Sequence, residues 1–533
     1  MPEAVVGASP SIGPGEIFPC AASRDADGLA LITDTVRLTY GDLERLSRNF
    51  AVALQRRGIA TGDVVSLFGQ NAWQWMVAYH GALRAGAVVN PINVMLTAPE
   101  LAHVLGDCRS RALIIGAERS ATAYAALATT PDVALVAEYG GAQDEATEFD
   151  ELLADGARHP MTMVDARPND LCAIVYTSGT TGHPKGAMQS HQAVLLNCAL
   201  TATMHTRSRS DIVVTALPVA HVYGNVAINS TFLAGGTVVL MERFDADRTL
   251  YLIAAERATM FEGVPTMYSK LLAAESLDTA DLRSLRMCTV GGQAFSAKQA
   301  EDWRRRSAVP LIELWGMTEL AGLGATHSPL CPSIPGSIGV SLPGIDVRIA
   351  ALDGSCTEVP PGQLGELQVR GPIVMSGYHG NPETTREALD TDGWLGTGDI
   401  GYRDAAGRLF VVDRIKHMII TSGYNVYPAE IERVISAHPD VALVGVAGRP
   451  DAIRGEIAVA YVVARTRRQP TAESIMEFCR DRLAACKRPR AVEFVTDLPM
   501  TSSGKIMRRR LTQARPATHQ IRGDRKTAGE QAV

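Results

Sequence analysis

The stretch Ile174-Val-Tyr-Thr-Ser-Gly-Thr-Thr-Gly-His-Pro-Lys-Gly186 decides how the rest of the chain is interpreted. A β-branched run leads into four hydroxyl residues interspersed with glycines, and Lys185 follows them. Glycines let a backbone approach an anion closely, while N–H groups, hydroxyls and an ammonium group donate hydrogen bonds to it. A Walker A loop needs Ser or Thr directly after its lysine, but this chain has Gly186. The stretch predicts a strand followed by a polyphosphate-binding loop of another kind, with a flexible loop that binds nothing as the alternative.

Strands and helices alternate on both sides of this loop. Strand-like runs at 37–40, 64–67, 87–89 and 112–115 are separated by helical patterns, which favours βαβ units and parallel sheets. After about residue 335, short apolar runs between Gly-, Pro- and Asp-rich turns indicate a small antiparallel β unit. From Lys416 the alternation resumes. The predicted fold class is α/β, with a large N-terminal domain of βαβ-type parallel sheets plus a small β unit, followed by a small α+β C-terminal domain.

These changes of pattern set the predicted domain limits. Residues 1–25 are expected to form a loosely held N-terminal arm, residues 26–414 the large domain, and residues 415–515 the small domain. The tail 516–533 is polar and basic, and we expect it to be disordered.

Composition excludes several classes of protein. The 533 residues include 51 Lys and Arg against 57 Asp and Glu, and the net charge of -6 argues against a chain-wide nucleic-acid-binding surface. Residues 212–240 contain no Asp, Glu, Lys or Arg, but Pro218, His221 and a Gly-Gly pair interrupt them. We therefore expect two strands around a helix there instead of a membrane span. No secretory signal is visible, and nine cysteines without a C-x-x-C pair are typical of a reduced, cytoplasmic protein.

Four further motifs follow along the chain. They are Trp315-Gly-Met-Thr-Glu319, Trp394-Leu-Gly-Thr-Gly-Asp399, Asp413-Arg-Ile-Lys416 and Leu498-Pro-Met-Thr-Ser-Ser-Gly-Lys-Ile506. Each alone would be an ordinary turn, junction or solvated charge cluster. Together with the Gly- and Thr-rich loop, and in this order, they resemble the adenylate-forming superfamily, which includes acyl-CoA synthetases, adenylation domains of peptide synthetases and firefly-type luciferases. The resemblance extends from about residue 38 to about residue 510.

The resemblance implies a site for ATP and Mg2+. Trp315 would stack near adenine, and Asp399 would accept hydrogen bonds from both ribose hydroxyls. Trp315 replaces the commoner Tyr, which keeps the stacking ring and removes a hydroxyl. Oxygen ligands suit Mg2+. The implied residues are Thr177, Ser178, Gly179, Thr180, Thr181 and Gly182 for the phosphates; Gly292, Glu313, Leu314, Trp315, Asp399 and Arg414 for adenine and ribose; Thr177 and Glu319 for Mg2+; and Lys185, Thr318, Glu319 and Lys505 for catalysis.

The resemblance also implies an acyl pocket, a hinge and a CoA site. The implied residues are His221, Val222, Asn225, Gly291 and Met317 for the acyl pocket, Lys416 for the hinge, and Gly423, Arg488 and Arg490 for CoA. His221 either gates the substrate or is a satisfied core histidine. The pocket segments contain no Arg or Lys, so a second carboxylate on the substrate would be buried without a partner.

The function implied by the resemblance is an ATP-dependent acid–CoA ligase. A carboxylate would attack the α-phosphorus of ATP to give acyl-AMP and pyrophosphate, and CoA would then displace AMP while the small domain turns about Lys416. A medium- or long-chain fatty acid is the expected substrate, with an aromatic acid, or transfer to a carrier protein, as the alternative. A luciferase-like oxidoreductase and an inactive binding protein are disfavoured, since nothing marks oxygen chemistry and the motif lysines are present. The expected partners are small molecules, with no nucleic acid and no membrane span, and a homodimer is left open.

Overall fold

The computed structural model describes residues 13–130, 132–141, 146–177, 184–293, 295, 297–330, 333–421, 424–451, 453–465, 470–500 and 506–513. The chain forms two compact units, and the division between them falls between Val411 and Val412. The domain limits 26–414 and 415–515 stay predictions.

Helices follow most of the strands, as the alternating pattern predicts. The described α-helices are Ile17–Arg24, Tyr40–Arg56, Trp73–Arg84, Ala98–Asp107, Ser120–Leu127, Phe149–Gly156, His191–Met204, Val222–Ala234, Ala246–Ala255, Pro265–Ala273, Ala297–Ser307, Pro382–Ala388, Pro428–Ser436 and Ala472–Arg480. The helix Tyr40–Arg56 shows why they form. Thr39 and Asp42 make a capping box at its start, and Leu43 and Phe50, which share one face, are fully buried.

Two large sheets form the core of the larger unit. In spatial order, the first contains Val340–Ser341, Gly322–Thr326, Leu311–Met317, Met287–Val290, Met260–Gly263, Ile212–Thr215, Thr237–Leu240, Leu29–Ile32 and Arg37–Thr39. The second contains Gly377–Tyr378, Lys185–Ser190, Leu171–Thr177, Val88–Pro91, Val64–Phe68, Ser110–Gly116, Leu135–Tyr139 and Thr147–Glu148. The central strands pair in parallel, and antiparallel strands extend both edges of the first sheet and one edge of the second.

Two smaller sheets complete the described fold. The first contains Asp346–Ala350, Gly365–Arg370, Leu395–Arg403 and Leu409–Arg414 in spatial order. The sheet of the smaller unit contains Tyr424–Val426, Ile419–Thr421, Gly455–Ala464 and Val441–Asp451, and Ala491–Phe494 lies beside Gly455–Ala464. Its two helices bury Ile431, Ile435 and Ile475 in the core of that unit. The predicted α/β fold class, with a large domain of parallel sheets and a small C-terminal domain, is confirmed.

The uncharged region 212–240 folds as the sequence predicts. Strand Ile212–Thr215, helix Val222–Ala234 and strand Thr237–Leu240 follow one another. Gly235 ends the helix with a φ of 82°, a left-handed conformation that favours glycine. The region is apolar because parallel strands and the helices that cover them are buried on both sides. Among the described residues, no helix is both long enough and apolar enough to cross a membrane.

The predicted loose arm is wrong for residues 13–25. The helix Ile17–Arg24 buries Ile17, Phe18 and Ala21, and the Phe18 ring lies 3.8 Å from the His80 ring, centre to centre. The run is too short to show a helical period, and its burial depends on partners distant in the sequence. A local pattern could not reveal such contacts.

Candidate functional site

The predicted phosphate loop lies in the sequence between two antiparallel strands. Leu171–Thr177 pairs with Lys185–Ser190, and the register sets Thr177 opposite Lys185. A hydroxyl residue and a lysine, two kinds of donor that the sequence analysis of the loop assigns to phosphate, are therefore neighbours across these strands. The predicted phosphate-binding residues Ser178, Gly179, Thr180, Thr181 and Gly182 lie outside the described residues.

Tyr378, which no sequence motif marks, lies between two predicted catalytic residues. The strand Gly377–Tyr378 pairs with Lys185–Ser190. The Lys185 Nζ atom lies 5.7 Å from the centre of the Tyr378 ring, and the Tyr378 hydroxyl donates a hydrogen bond of 2.8 Å to Glu319 Oε1. Burial and the neighbouring Glu319 carboxylate raise the pKa of Tyr378, which therefore stays a donor at neutral pH. Its sequence signal, an aromatic residue beside a glycine, is too common to identify it.

Backbone and amide contacts fix the turn that carries Thr318 and Glu319. Gln189 Nε2 donates to the Thr318 carbonyl at 2.8 Å, and the Met375 N–H donates to the Glu319 carbonyl at 2.8 Å. The Glu319 side chain is buried. The larger unit thus brings Lys185 together with Thr318 and Glu319, which follow it by more than 130 residues in the sequence.

Trp315 and Asp399 are also brought together, through a direct hydrogen bond. The Trp315 indole N–H donates to Asp399 Oδ2 at 2.7 Å, and both residues are buried. The replacement of Tyr by Trp therefore removes a hydroxyl but supplies an N–H donor. No sequence pattern indicates this contact, because the two residues belong to different sheets. Stacking of Trp315 on adenine stays a prediction.

The other predicted nucleotide residues surround the same strand. Glu313 accepts a hydrogen bond of 2.8 Å from the Gly336 N–H, and burial raises the pKa of its carboxyl to about 7. Leu314 is buried against Gly291, where an added Cβ would lie 2.2 Å from Leu314 Cδ1. Gly292 has a φ of 88°. Gly291 therefore permits a close approach between the end of the strand Met287–Val290 and Leu314 of the neighbouring strand.

A pocket beside Thr318 contains part of the predicted acyl site. Its lining includes Val219, Ala220, His221, Val222 and Thr318, and none of the described residues that line it is Asp, Glu, Lys or Arg. His221 Nδ1 accepts a hydrogen bond from the Tyr223 N–H at 3.2 Å and so caps the helix Val222–Ala234. Polar lining residues that the sequence did not suggest are Gln70, Asn71, Asn93 and Tyr176.

Three predicted acyl-pocket residues lie outside the lining of this pocket. They are Asn225, Gly291 and Met317. Asn225 Oδ1 accepts hydrogen bonds from Asn229 Nδ2 at 3.0 Å and from the Tyr79 hydroxyl at 3.5 Å. Their assignment to the acyl site stays a prediction.

A buried polar network lies beyond the start of the helix Val222–Ala234. The fully buried ring of Tyr223 places its hydroxyl 2.7 Å from Thr289 Oγ1, and Thr289 donates to Glu262 at 2.5 Å. Arg207 forms an ion pair with Glu262, and neither side chain is exposed. Burial raises the pKa of Glu262, but Arg207 and the hydrogen bonds outweigh it and lower the pKa overall. The network fixes Tyr223 between this helix and two strands.

The smaller unit holds its own cluster of charges around Asp413. Asp413 accepts hydrogen bonds of 2.7 Å from the backbone N–H groups of Arg414 and Ala429. The half-buried guanidinium of Arg508 binds Glu432 through two hydrogen bonds, of 3.1 and 2.5 Å, and lies 3.5 Å from Asp413. These contacts connect Asp413, in the motif that contains the predicted hinge residue Lys416, to Arg508, which follows the predicted catalytic Lys505.

The predicted CoA residues differ in their surroundings. Arg488 donates to the carbonyls of Leu483 at 2.9 Å and of Arg480 at 3.0 Å, and thus stabilises the end of a helix. Arg490 is exposed, as is the predicted hinge residue Lys416. Gly423 and Lys505 lie outside the described residues.

Comparison with protein families decides among the chemistries that such a site could serve. The model of the AMP-binding enzyme family matches residues 18–379, more than half of the chain. The chain belongs to the AMP-binding enzyme family. The C-terminal domain of AMP-binding enzymes matches residues 430–505 as well.

Two relatives and one solved structure show the range of AMP-binding enzymes that this chain is similar to. A feruloyl-CoA synthase of Amycolatopsis is 36% identical over 474 residues, which cover 88% of this chain and 92% of the relative. A long-chain-fatty-acid–CoA ligase of Escherichia coli is 34% identical over 530 residues, 93% of each chain. An anthranilate CoA ligase in complex with anthranoyl-AMP has a TM-score of 0.88 and 26% identity, and the match covers 95% of this chain and 98% of that one.

These findings confirm the predicted family and the predicted enzyme class, an acid–thiol ligase. ATP and CoA are the co-substrates consistent with this AMP-binding family. The relatives act on different acids, so similarity leaves the acid undetermined. The roles of single residues stay predictions.

Proposed function

We propose that the chain is an ATP-dependent ligase that joins a hydrophobic monocarboxylic acid to CoA, with medium- or long-chain fatty acids as the first substrate class. The acid and ATP would give acyl-AMP and pyrophosphate, and the CoA thiol would then displace AMP to give acyl-CoA. The observation that carries this proposal is one arrangement. Tyr378 contacts both Lys185 and Glu319, and the neighbouring Thr318 lines a pocket whose described lining is uncharged.

In the first half-reaction, negative charge accumulates where the carboxylate meets the α-phosphate. Preorganised donors are most effective there, because they cost no reorganisation as the charge develops. Lys185 would supply a positive charge to the phosphates. Tyr378, held as a donor, would keep the Glu319 carboxylate in place.

Glu319 and Thr177 offer oxygen ligands of the kind that a magnesium ion arriving with ATP would take. Glu319 offers a buried carboxylate whose Oε1 atom already accepts one hydrogen bond. Among the described residues, no group of three or more His, Cys, Asp or Glu side chains could hold a metal alone. Magnesium commonly takes one or two carboxylates together with substrate phosphates and water. When bound, it would neutralise charge on the phosphates.

The uncharged pocket supports a hydrophobic acid with a single carboxylate. A second carboxylate in a site without a cationic partner would lose its hydration without compensation. Val219 and Val222 provide apolar surface for a chain or a ring, and Thr318 lies at the same pocket.

An aromatic acid is the second candidate, and Tyr223 favours it. Its fully buried ring reaches from the helix Val222–Ala234 to Thr289 and to the Gly263 carbonyl, at 2.7 and 3.4 Å from its hydroxyl. The Tyr223 ring would therefore limit the length of a substrate that lies between this helix and the strands that contain Gly263 and Thr289. A compact ring would fit more readily than a long chain.

In the second half-reaction, we expect the smaller unit to stop assisting adenylation and to assist attack by the thiol instead. Lys505 would assist adenylation, and a turn about Lys416 would then present Gly423 to the thiol, with Arg490 and Arg488 toward CoA. Arg490 is the better candidate of the two, since the Arg488 guanidinium already binds two backbone carbonyls. Loading of a carrier protein would use the same adenylation residues, so only the acceptor separates the two functions.

The test is pyrophosphate release with ATP and a panel of acids, with and without CoA. The panel contains octanoate, palmitate, ferulate, anthranilate and, as a dicarboxylate, malonate. We expect release and acyl-CoA with monocarboxylic acids, and none above background with malonate. A preference for malonate would contradict the role of the uncharged pocket. Pyrophosphate without thioester would indicate a carrier-protein acceptor. Lys185→Ala is the control, because it removes a positive charge that adenylation of any acid is expected to need.

A further inference from the structure

We infer that Trp315 is a positioning residue for ribose recognition, because its indole N–H orients the Asp399 carboxylate. The inference rests on the ATP-dependent function proposed above and on the predicted role of Asp399 as an acceptor for the ribose hydroxyls. The N–H donates to Asp399 Oδ2 at 2.7 Å, and Trp315 and Asp399 are 8% and 3% exposed. A hydrogen bond to a buried carboxylate is charge-assisted and stronger than one between neutral groups.

The indole ring has little freedom to move away from Asp399. The strand Leu311–Met317 pairs with Gly322–Thr326, and an added Cβ on Gly324 would lie 2.5 Å from Trp315 Cζ3. The ring therefore packs directly on the neighbouring backbone. It acts as a fixed donor, and the carboxylate must turn to meet it.

The backbone of Asp399 is fixed independently of this contact. Gly398 has a φ of 70°, and its N–H donates to Glu366 Oε1 at 2.9 Å. Thr397 Oγ1 donates to the Leu367 carbonyl at 2.7 Å and accepts from the Asp399 N–H at 3.1 Å. With the main chain held in this way, the remaining freedom of Asp399 is rotation of its side chain, and Trp315 restrains that rotation.

The chemistry of the indole makes this restraint one-directional. An indole N–H can only donate, whereas a phenol can donate or accept. Trp315 therefore acts only as a donor and occupies one acceptor position on Asp399 Oδ2. This hydrogen bond restrains the orientation of the Asp399 carboxylate before ATP binds, which lowers the entropy that binding must remove.

Trp315→Phe tests this inference, with Trp315→His as the matched rescue. Phe keeps a ring without an N–H, whereas His Nε2 occupies the same ring position as the indole nitrogen. We expect Phe to raise the KM for ATP about tenfold, and to leave the KM values for acid and CoA within about twofold. His should restore most of the loss. Asp399→Ala and the double variant complete a cycle, in which adding Trp315→Phe to Asp399→Ala should have no further effect.

Two outcomes would overturn the inference. Effects that multiply in the double variant would show that Trp315 acts through its ring and not through Asp399. Equal KM values for ATP in the Phe and His variants would show that the N–H is irrelevant. If no acid releases pyrophosphate, the proposed function fails. Calorimetric titration of ATP into the wild type, Trp315→Phe, Asp399→Ala and the double variant still tests whether Trp315 and Asp399 act together in binding ATP. If Trp315→Phe does not fold, the comparison of wild type with Trp315→His still decides whether the ring nitrogen suffices.

Discussion

At the scale of single residues, the site depends on side chains that neutralise or orient one another. Lys185 and Glu319 carry opposite charges, and Tyr378 contacts both, through its ring face and its hydroxyl. The sequence predicts the two charged residues from motifs. It does not predict Tyr378, whose role exists only because the strand Gly377–Tyr378 pairs with Lys185–Ser190.

Tyr378→Phe should slow adenylation. The change leaves a buried carboxylate without its donor, and we expect kcat/KM for pyrophosphate release to fall about tenfold. Tyr251→Phe is the control, since Tyr251 is 59% exposed on a helix of the same unit. A Tyr378→Phe enzyme as active as the control would show that Glu319 needs no partner.

Glu313→Gln should remove a pH dependence of stability. Burial raises the pKa of this carboxyl from 4.5 to about 7, so the folded chain keeps a proton that the unfolded chain loses between these values. Stability therefore falls as the pH rises through this window, by roughly 3 kcal/mol at most. Urea unfolding at pH 5 and pH 8 measures it. We expect the difference between the two pH values to be smaller for Glu313→Gln than for wild type and for the exposed control Glu383→Gln. Equal pH dependence in all three would contradict the buried, protonated state of Glu313.

At the scale of elements, the alternation of strands and helices could be predicted from local patterns. The short strands Asp346–Ala350 and Gly365–Arg370, for example, follow residue 335, where the sequence predicts a small antiparallel β unit. Contacts between distant elements could not be predicted in this way. The helix Ile17–Arg24 is one example, and the hydrogen bond between Trp315 and Asp399 is another, because each depends on which surfaces meet after folding.

Phe18→Ala should show that the N-terminal helix belongs to the core. The ring is fully buried and contacts the rings of His80 and Phe232 at 3.8 and 5.3 Å. Removing a buried aromatic ring costs about 3–5 kcal/mol of stability. Cys20→Ala, an exposed change on the same helix, should cost little. Urea unfolding compares the two, and a small loss for Phe18→Ala would mean that the helix is only loosely attached.

At the scale of the whole molecule, the proposed reaction divides between two compact units. Motifs in the larger unit predict the ATP and acid sites, and residues of the smaller unit are expected to act in turn. Family resemblance could predict this division because its motifs occur in order along the chain. It could not predict the acid, because the lining of a pocket depends on side chains from several elements and carries no motif of its own.

Lys505→Ala should separate the two half-reactions. Lys505 is expected to act only in adenylation, so the variant should lose acid-dependent pyrophosphate release by about 100-fold or more. It should still convert supplied acyl-AMP and CoA to acyl-CoA at a rate near that of the wild type. Equal loss in both half-reactions would assign Lys505 to the stability of the smaller unit.

The formation of an acyl-adenylate is the central claim, and an isotope label tests it most directly. The acid is prepared with 18O in both carboxylate oxygens and converted with ATP and CoA, and the AMP is examined by mass spectrometry. Attack of the carboxylate on the α-phosphorus, followed by thiol attack on the carbonyl carbon, leaves one labelled oxygen on AMP. We expect one 18O per AMP formed. Unlabelled AMP, or label recovered in inorganic phosphate with ADP as the other product, would contradict the adenylate route.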